Sequence, residues 1–216
     1  MQHLAEEINI DDKSRAAWYQ KCLPSLRKCL SSGQAGLPTI EEIFAMLKEE
    51  NVPEAVIAHS IKVAETAVKI AGWLQEAGIS LSVSVLAAAG LLHDVAKGHK
   101  DHAAAGAEFV TKQGYKALAP MIAAHMDFDF NEQAAVEETA VLYIADKLVA
   151  GTCLVNLESR FESALERYSE VPEVMRRFSS ALAIRTKILK VVNIQQAAAE
   201  DKELWDALAA KNTKWI

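Results

Sequence analysis

Chemically active side chains cluster between residues 86 and 100, where an apolar run ends in an adjacent histidine and aspartate, His93 and Asp94. Lys97 follows His93 by about one helical turn. An imidazole and a carboxylate at the end of a buried helix are costly unless hydrogen bonds or a bound ion satisfy them. A metal ion would satisfy both groups, so the pair is the first candidate site.

Other side chains of the same chemistry lie on or beside apolar faces of the helices predicted around this pair: His59, His102, His125 and Asp146. A single histidine in such a place is more often a hydrogen-bonded core residue than a metal ligand. A buried aspartate is uncommon unless it is paired or coordinated. If the helices converge, one site would satisfy all of these groups, whereas separate core hydrogen bonds remain the alternative.

The composition predicts that helices position these residues. The chain of 216 residues is 51% hydrophobic, contains only 9 glycines and 5 prolines, and is rich in alanine, leucine, glutamate and lysine. Apolar periodicity and capping residues predict helices over 14–30 with a break at Pro24, 40–50, 53–77, 81–96, 102–114, 116–125, 132–150, 157–168, 172–200 and 202–210. No stretch has a clear strand pattern, so we predict an all-α protein.

Charge and cysteine content exclude several classes of function. The formal net charge of -6 gives no electrostatic basis for binding nucleic acid. The acidic N-terminus has no apolar signal segment, and no apolar run reaches the ~20 residues of a membrane span. The 3 cysteines lack the spacing of a disulfide framework or a zinc knuckle. We therefore expect no membrane association and a reducing, cytoplasmic setting.

The order His59, His93-Asp94, Asp146 resembles the HD-domain superfamily of metal-dependent phosphohydrolases. The surrounding segments HSIKVAETAVKIA, AAAGLLHDVAKG and LYIADKL agree with this resemblance, which covers about residues 54–150. His102 in HAAAGAEFV and His125 in IAAHMD look like the extra ligands of the dinuclear branch, which includes bis(5'-nucleosyl)-tetraphosphatases. A histidine-aspartate dipeptide alone carries no signal, but the full order with these segments does.

The resemblance implies a helical HD-domain bundle over 38–152, with an N-terminal helical extension over 1–37 and C-terminal helices over 153–216 packed on the same domain. It also implies two divalent metal ions, held by these residues: His59, His93, Asp94 and Asp146 on the first ion, and His102 and His125 with a bridging Asp94 on the second. Imidazole and carboxylate ligands without thiolate suit iron, manganese, cobalt, nickel or zinc alike.

The implied mechanism is hydrolysis assisted by two metals. Ions ~3.5–4 Å apart can share a water and lower its pKa toward neutrality. The resulting nucleophile attacks phosphorus, and the ions and a nearby cation offset the charge on the phosphoryl oxygens. Lys97 is the candidate for that cation, and Lys97 and Asp94 are the predicted catalytic residues. The alternative role of Lys97 is that of a solvated lysine that closes a helix.

The chain departs from the tetraphosphatase pattern beside two of the candidate ligands. Residues 126–130, MDFDF, follow His125 where that branch has a threonine and small residues, and Ile57-Ala58 precede His59 where many relatives have an arginine. The MDFDF segment either lines a different pocket or forms an acidic loop with its phenylalanines in the core. C-terminal arginines such as Arg176 and Arg177 either supply positive charge to the site or pair with nearby glutamates.

The predicted function is hydrolysis of a phosphoester or phosphoanhydride bond in a nucleotide or another small phosphorylated metabolite. Three alternatives stay open: a di-iron oxygenase on the same scaffold, a non-catalytic nucleotide-binding regulatory module, and a helical bundle with hydrogen-bonded core histidines. The expected partner is the small phosphorylated substrate, with no nucleic acid and no membrane, and a homodimer is left open.

Overall fold

The computed structural model describes residues 23–30, 35–167 and 171–210. Its helices are α1 (residues 23–30), α2 (Ile40–Glu49), α3 (Glu54–Glu76), α4 (Val83–Leu92), α5 (His102–Lys112), α6 (Ala119–Ala124), α7 (Glu138–Lys147), α8 (Leu157–Arg167), α9 (Val171–Val191), α10 (Ile194–Glu200) and α11 (Lys202–Ala209), with a 3-10 turn over Lys116–Leu118. The predicted all-α class is confirmed. The predicted N-terminal helix is described only over 23–30, which includes Pro24, and its remainder lies outside the described residues.

Local capping explains where several of these helices begin. The Thr39 side chain accepts from Glu42 N, and the Glu42 carboxylate accepts from Thr39 N, so the predicted capping box is present. Asp101 caps α5, as predicted. The prediction that α4 begins at Leu81 was wrong, because Ser82 is its cap and accepts from Val85 N.

The bundle is centred on α3 and α4, which pack closely along their length. Gly90 of α4 is what allows this approach, since a Cβ at Gly90 would lie 2.7 Å from Ala64 Cα of α3. Gly106 plays a similar part between α5 and α6, where an added Cβ would lie 3.1 Å from Ile122 Cγ2. Helix α7 packs against both α3 and α4. Histidines and aspartates on these helices are thereby brought toward a common interior.

The helix predicted over 132–150 is shorter in the structure. Residues 132–137 form turns and extended chain, α7 covers Glu138–Lys147, and a two-residue strand β1 (Val149–Ala150) follows. It pairs antiparallel with β2 (Cys153–Leu154) around Gly151, whose φ is 57°. The expectation of no strand was therefore wrong at this point, because two-residue strands are too short to show an alternating pattern.

The C-terminal helices contact the bundle through α7 and α3. Helix α9 packs on α7, and Trp73 Nε1 of α3 donates to the Glu200 carboxylate at 2.9 Å. The single helix predicted over 172–200 is broken, because Asn193 caps a separate α10 by accepting from two backbone amides. Of the helices in the described ranges, none is both long enough and apolar enough to cross a membrane.

Candidate metal centre

Two of the candidate ligands, His93 and His125, occupy the residue directly after a helix. Helix α4 ends at Leu92 and α6 at Ala124, so the prediction that the helix over 81–96 runs through His93 was wrong. The last carbonyls of a helix lack intrahelical partners. His93 Nδ1 donates to Gly90 O at 2.8 Å, and His125 Nδ1 donates to Ile122 O at 2.7 Å. The helix ends thus fix the orientation of both rings.

A third histidine, His59 of α3, is fixed in the same way by a loop. Its Nδ1 donates to Gly151 O at 3.0 Å, in the turn between β1 and β2. Its Nε2 lies 3.1 Å from Oδ1 of Asp146, near the end of α7. The short hairpin that the sequence did not predict therefore holds one of the candidate ligands in place.

The first group of candidate ligand atoms lies between α3, α4 and α7. His93 Nε2 lies 3.6 Å from Asp146 Oδ1, the same oxygen that contacts His59 Nε2. One ligand atom from each of His59, His93 and Asp146 lies within 4.8 Å of the others, a spacing that a single metal ion can occupy. His93 and Asp146 are buried, and the His59 side chain is only 14% exposed.

The second group is built around Asp94. His102 Nε2 lies 3.3 Å and His125 Nε2 lies 3.4 Å from Asp94 Oδ1, while His93 Nε2 lies 3.7 Å from Asp94 Oδ2. His93, Asp94 and His125 form another set of atoms within 4.8 Å of one another. The two oxygens of Asp94 thus face different histidines, and the structure brings all six predicted ligands together.

The hydrogen bonds of these rings show that a cation suits the space between them. In His59, His93 and His125, Nδ1 donates to a backbone carbonyl, so in the neutral form of each ring Nε2 would carry the lone pair and face the carboxylates. His93 Nε2 is buried and has no hydrogen-bond partner among the described residues, and His125 Nε2 lies 3.2 Å from His102 Nε2. Imidazole Nε2 atoms and carboxylate oxygens that point into one shared space fit a bound metal ion.

The protein's own charges keep both carboxylates ionised. Burial opposes the charged form of Asp94, yet the imidazole of His93 lowers the pKa of that carboxyl far below its usual range. Burial also opposes ionisation of Asp146, but Lys147 and the adjoining histidines hold the pKa of Asp146 well below normal. Burial lowers the pKa of His125, whereas for His93 the two carboxylates outweigh burial and raise its pKa. Anionic oxygens are therefore present at neutral pH.

Two lysines complete the centre. Lys97 Nζ lies 3.2 Å from Asp94 Oδ1 and 3.0 Å from Asp94 Oδ2, with 44% of its side chain exposed. Lys147 was not identified from the sequence: it is buried, and its Nζ donates to Asp146 Oδ2 at 2.7 Å. The signal that could have found Lys147 is its position directly after Asp146 at the end of an apolar helix. His99 is exposed and is not part of the cluster.

The MDFDF segment after His125 forms a structural loop. Phe128 packs against the Tyr143 ring at 5.7 Å between centroids and against Phe130 at 6.0 Å. Asp127 is bound by Arg177 of α9, whose hydrogen bonds lower the pKa of the Asp127 carboxyl. Of the two interpretations of this loop, the one that places its phenylalanines against the core matches the structure. Arg176 and Arg177 pair with aspartates of this loop, whereas Arg185 of α9 pairs with Glu158 of α8 at 2.8 Å, so the expectation of glutamate partners is confirmed for Arg185.

Comparison with known proteins bears on the same part of the chain. Residues 56–151 match the family model described as HD domain. The matched segment runs from α3 to the turn after β1 and includes all six residues of the cluster. No curated protein and no solved structure matches the chain.

Proposed function

We propose that this chain, whose residues 56–151 form an HD domain, is a metal-dependent phosphohydrolase. One observation carries the proposal. Three histidines donate their Nδ1 protons to backbone carbonyls and point Nε2 at a buried pair of ionised carboxylates. With Nδ1 as the donor, Nε2 of each neutral ring would be available to a metal, and the three rings come from three separate elements of the fold. The match to the HD-domain model supports this class of reaction, because proteins with HD domains are generally metal-dependent hydrolases.

The chain offers two sets of ligands for two ions. His59, His93 and Asp146 would hold one ion, and His102 and His125 would hold the other, with Asp94 between them. Bound there, divalent ions would polarise a phosphoryl oxygen and lower the pKa of a coordinated water. The imidazole and carboxylate donors suit iron, manganese, cobalt, nickel and zinc.

Lys97 is the residue that we assign to the substrate. Its ammonium contacts both oxygens of Asp94, and its side chain is 44% exposed, whereas the Asp94 side chain is 4% exposed. Lys97 therefore lies between the buried carboxylate and solvent, so a substrate that reaches Asp94 from that side would meet its ammonium. There its positive charge would offset negative charge that develops on the phosphoryl oxygens.

A nucleotide or another small phosphorylated metabolite is the proposed substrate. The acidic loop after His125 does not oppose this choice, because Arg176 and Arg177 pair with Asp127 and Arg176 pairs with Asp129. Its negative charge is thus compensated within the protein and would not repel a phosphate group.

Metal loading followed by a hydrolysis screen tests the proposal. The apoprotein is loaded in turn with manganese, iron, cobalt, nickel or zinc, and bound metal per chain is quantified. Phosphate or nucleotide release is then measured on mononucleotides, dinucleoside polyphosphates, sugar phosphates and a chromogenic phosphodiester. We expect up to two ions per chain and metal-dependent release from at least one substrate class.

His99→Ala is the matched control, because His99 has the same side chain as the ligands and is exposed outside the cluster. It should retain full metal content and activity. Metal-loaded protein that releases nothing from the whole panel would contradict the proposal. Oxygen uptake by the iron-loaded form would instead support the oxygenase alternative, and tight nucleotide binding without turnover would support a regulatory module.

A further inference from the structure

Lys147 is the last residue of α7 and points into the protein interior, with only 7% of its surface exposed. Lysine is rarely buried unless its ammonium is paired. Here Nζ donates to Asp146 Oδ2 at 2.7 Å and to the carbonyl oxygen of His125 at 2.9 Å. Nζ also lies 4.7 Å from the centre of the Tyr143 ring, so an aromatic face fixes the ammonium from a further direction.

The two oxygens of Asp146 have different partners. Lys147 occupies Oδ2, whereas Oδ1 faces His59 Nε2 at 3.1 Å and His93 Nε2 at 3.6 Å. A carboxylate with both oxygens free can bind a metal through one or both of them. With Oδ2 held by an ammonium, Asp146 presents a single oxygen in a fixed direction.

The second contact links the two groups of ligands. His125 belongs to the group around Asp94, and its carbonyl oxygen accepts from the same ammonium that holds Asp146. His125 Nδ1 is bound to Ile122 O, so both the ring and the backbone of this residue are tied down. Lys147 thereby sets the end of α6 against the end of α7.

We propose that Lys147 is a positioning residue that restricts Asp146 to coordination through Oδ1 and holds His125 in register with it. This inference rests on the proposed function, because it assumes that a metal ion occupies the centre. Lys147 would touch neither metal nor substrate and would act through Asp146 and His125.

A simple charge effect gives the opposite prediction, which makes the proposal testable. An ammonium beside a metal site repels the cation, so its removal should tighten metal binding if charge alone matters. If Lys147 positions Asp146, its removal should weaken binding, and loss of a hydrogen-bond partner behind a metal ligand typically lowers metal affinity about 10–100-fold. The sign of the change therefore decides between charge and position.

The experiment is a cobalt titration of the parent protein and of Lys147→Met, followed by visible absorption. Methionine keeps an unbranched apolar side chain but removes both the charge and the donors. We expect cobalt affinity to fall roughly 10–100-fold. The absorption spectrum of the bound cobalt should also change, since it responds to the number and arrangement of the ligands. Unchanged or tighter binding with an unchanged spectrum would overturn the proposal.

Lys147→Arg and Tyr143→Phe serve as matched variants. Arginine keeps the charge, but its planar guanidinium differs in shape from the ammonium of lysine. If Lys147 positions Asp146, Lys147→Arg should bind cobalt more weakly, whereas if only charge matters, its cobalt affinity should not change. Tyr143→Phe removes a hydrogen bond from the same helix, that from Tyr143 Oη to Arg177 O at 3.1 Å, and leaves Lys147 intact. It should lower stability without altering the cobalt spectrum, and an equal effect of Tyr143→Phe on the spectrum would overturn a specific role for Lys147.

Further outcomes keep the two proposals separable. If Lys147→Met does not fold, Lys147→Gln is titrated instead. Its amide nitrogen is one atom closer to the backbone and does not span both contacts, so positioning again predicts weaker cobalt binding and charge alone predicts tighter binding. Parent protein that binds no cobalt would overturn both proposals. Parent protein that binds cobalt but hydrolyses nothing would remove the proposed function, while weaker binding by Lys147→Met would still support the role of Lys147.

Discussion

Two clusters of charged and polar side chains contain neighbouring residues, His125 in one and Asp127 in the other. They differ in how many of their polar atoms have hydrogen-bond or ion-pair partners within the cluster. The candidate metal centre, called the centre below, comprises His59, His93, Asp94, His102, His125 and Asp146. The arginine latch comprises Asp127 and Asp129 of the loop with Arg176 and Arg177 of α9. In the latch, both oxygens of each aspartate accept from guanidinium groups at 2.8–3.1 Å.

The centre is buried and leaves a polar atom without a hydrogen bond to any residue that the structure describes, whereas the latch is largely exposed and both oxygens of each aspartate in it are hydrogen-bonded. The Asp94 side chain is 4% exposed and that of Asp127 is 44% exposed. In the centre, no residue in the described part of the chain forms a hydrogen bond with His93 Nε2, and the Nε2 atoms of His102 and His125 face each other. The latch pairs its charges internally, as expected of a cluster that holds two elements of the fold together. The centre instead buries imidazole nitrogens and carboxylate oxygens that converge on one space, which suits a bound cation.

Asp94→Ala should have the largest effect, because it removes the carboxylate that faces three of the histidines. We expect loss of bound metal and a fall in kcat/KM of about a thousandfold or more, since metal ions supply several kcal/mol of transition-state stabilisation. Stability should also fall, because buried imidazoles lose their counter-charge. Metal analysis, kinetics and urea unfolding measure the three effects, and a metal-loaded, fully active variant would erase the contrast between the centre and the latch.

Gly90→Ala should disturb the centre without altering any ligand. The added Cβ would lie 2.7 Å from Ala64 Cα, so α4 must move away from α3 and carry His93 with it. We expect a loss of about 1–3 kcal/mol in the free energy of unfolding, with weaker metal binding.

Gly72→Ala is the matched control for this substitution, because no atom of the described residues outside its own helix backbone and chain neighbours lies within 4 Å of an added Cβ there. Replacing a glycine inside a helix should stabilise the protein by about 0.5–1 kcal/mol. Equal stability of the Gly90 and Gly72 variants in urea unfolding would show that the close α3–α4 contact does not limit the packing of the centre.

Asp127→Asn should weaken the latch and spare the centre. The pair is more than a third exposed, so solvent screening limits the expected loss to about 1 kcal/mol or less. Because the Arg177 hydrogen bonds lower the pKa of Asp127, its contribution is present above the ordinary carboxyl pKa and is lost as the pH falls through the lower folded value. The difference from the parent should thus begin to shrink below about pH 4 and disappear only below the lowered pKa of the folded state. Loss of metal from this variant at neutral pH would mean that the latch is part of the centre.

His99→Ala should have the smallest effect. His99 has the same imidazole as the ligands but lies exposed between α4 and α5. Its substitution should change the free energy of unfolding by less than about 0.5 kcal/mol and leave metal content unchanged. Metal content is measured by elemental analysis. A loss of metal on this substitution would show that an exposed histidine outside the cluster also binds metal, so that burial next to the other ligands is not what selects the metal-binding histidines.

Much of the fold could be predicted because its signals are local. The capping box at Thr39, the cap at Asp101 and the periodicity of α3 depend on residues within one or two turns of each other. Errors arose where a boundary depends on more distant partners. Ser82 at the start of α4 donates its backbone N–H to Glu138 of α7, and the hairpin at Gly151 is completed by His59 of α3.

For the candidate site, the sequence supplied the ligand types and their order, but not the atoms that meet. His93 and Lys97 could be selected because they flank Asp94. Lys147 could not, since a lysine at a helix end is usually solvated, and only the packing of α6 against α7 buries it.

The sequence by itself determined the all-α class, the apolar faces and the presence of imidazole and carboxylate groups on them, because these follow from residue type and a period of 3.6. The tertiary structure decided which nitrogen of each ring points inward and which oxygen of Asp146 faces the histidines. It also decided that the acidic loop pairs with arginines of α9. These outcomes depend on contacts between residues tens of positions apart, such as Asp127 with Arg177 or His59 with Gly151. No local pattern encodes such contacts, because they form only when the helices pack.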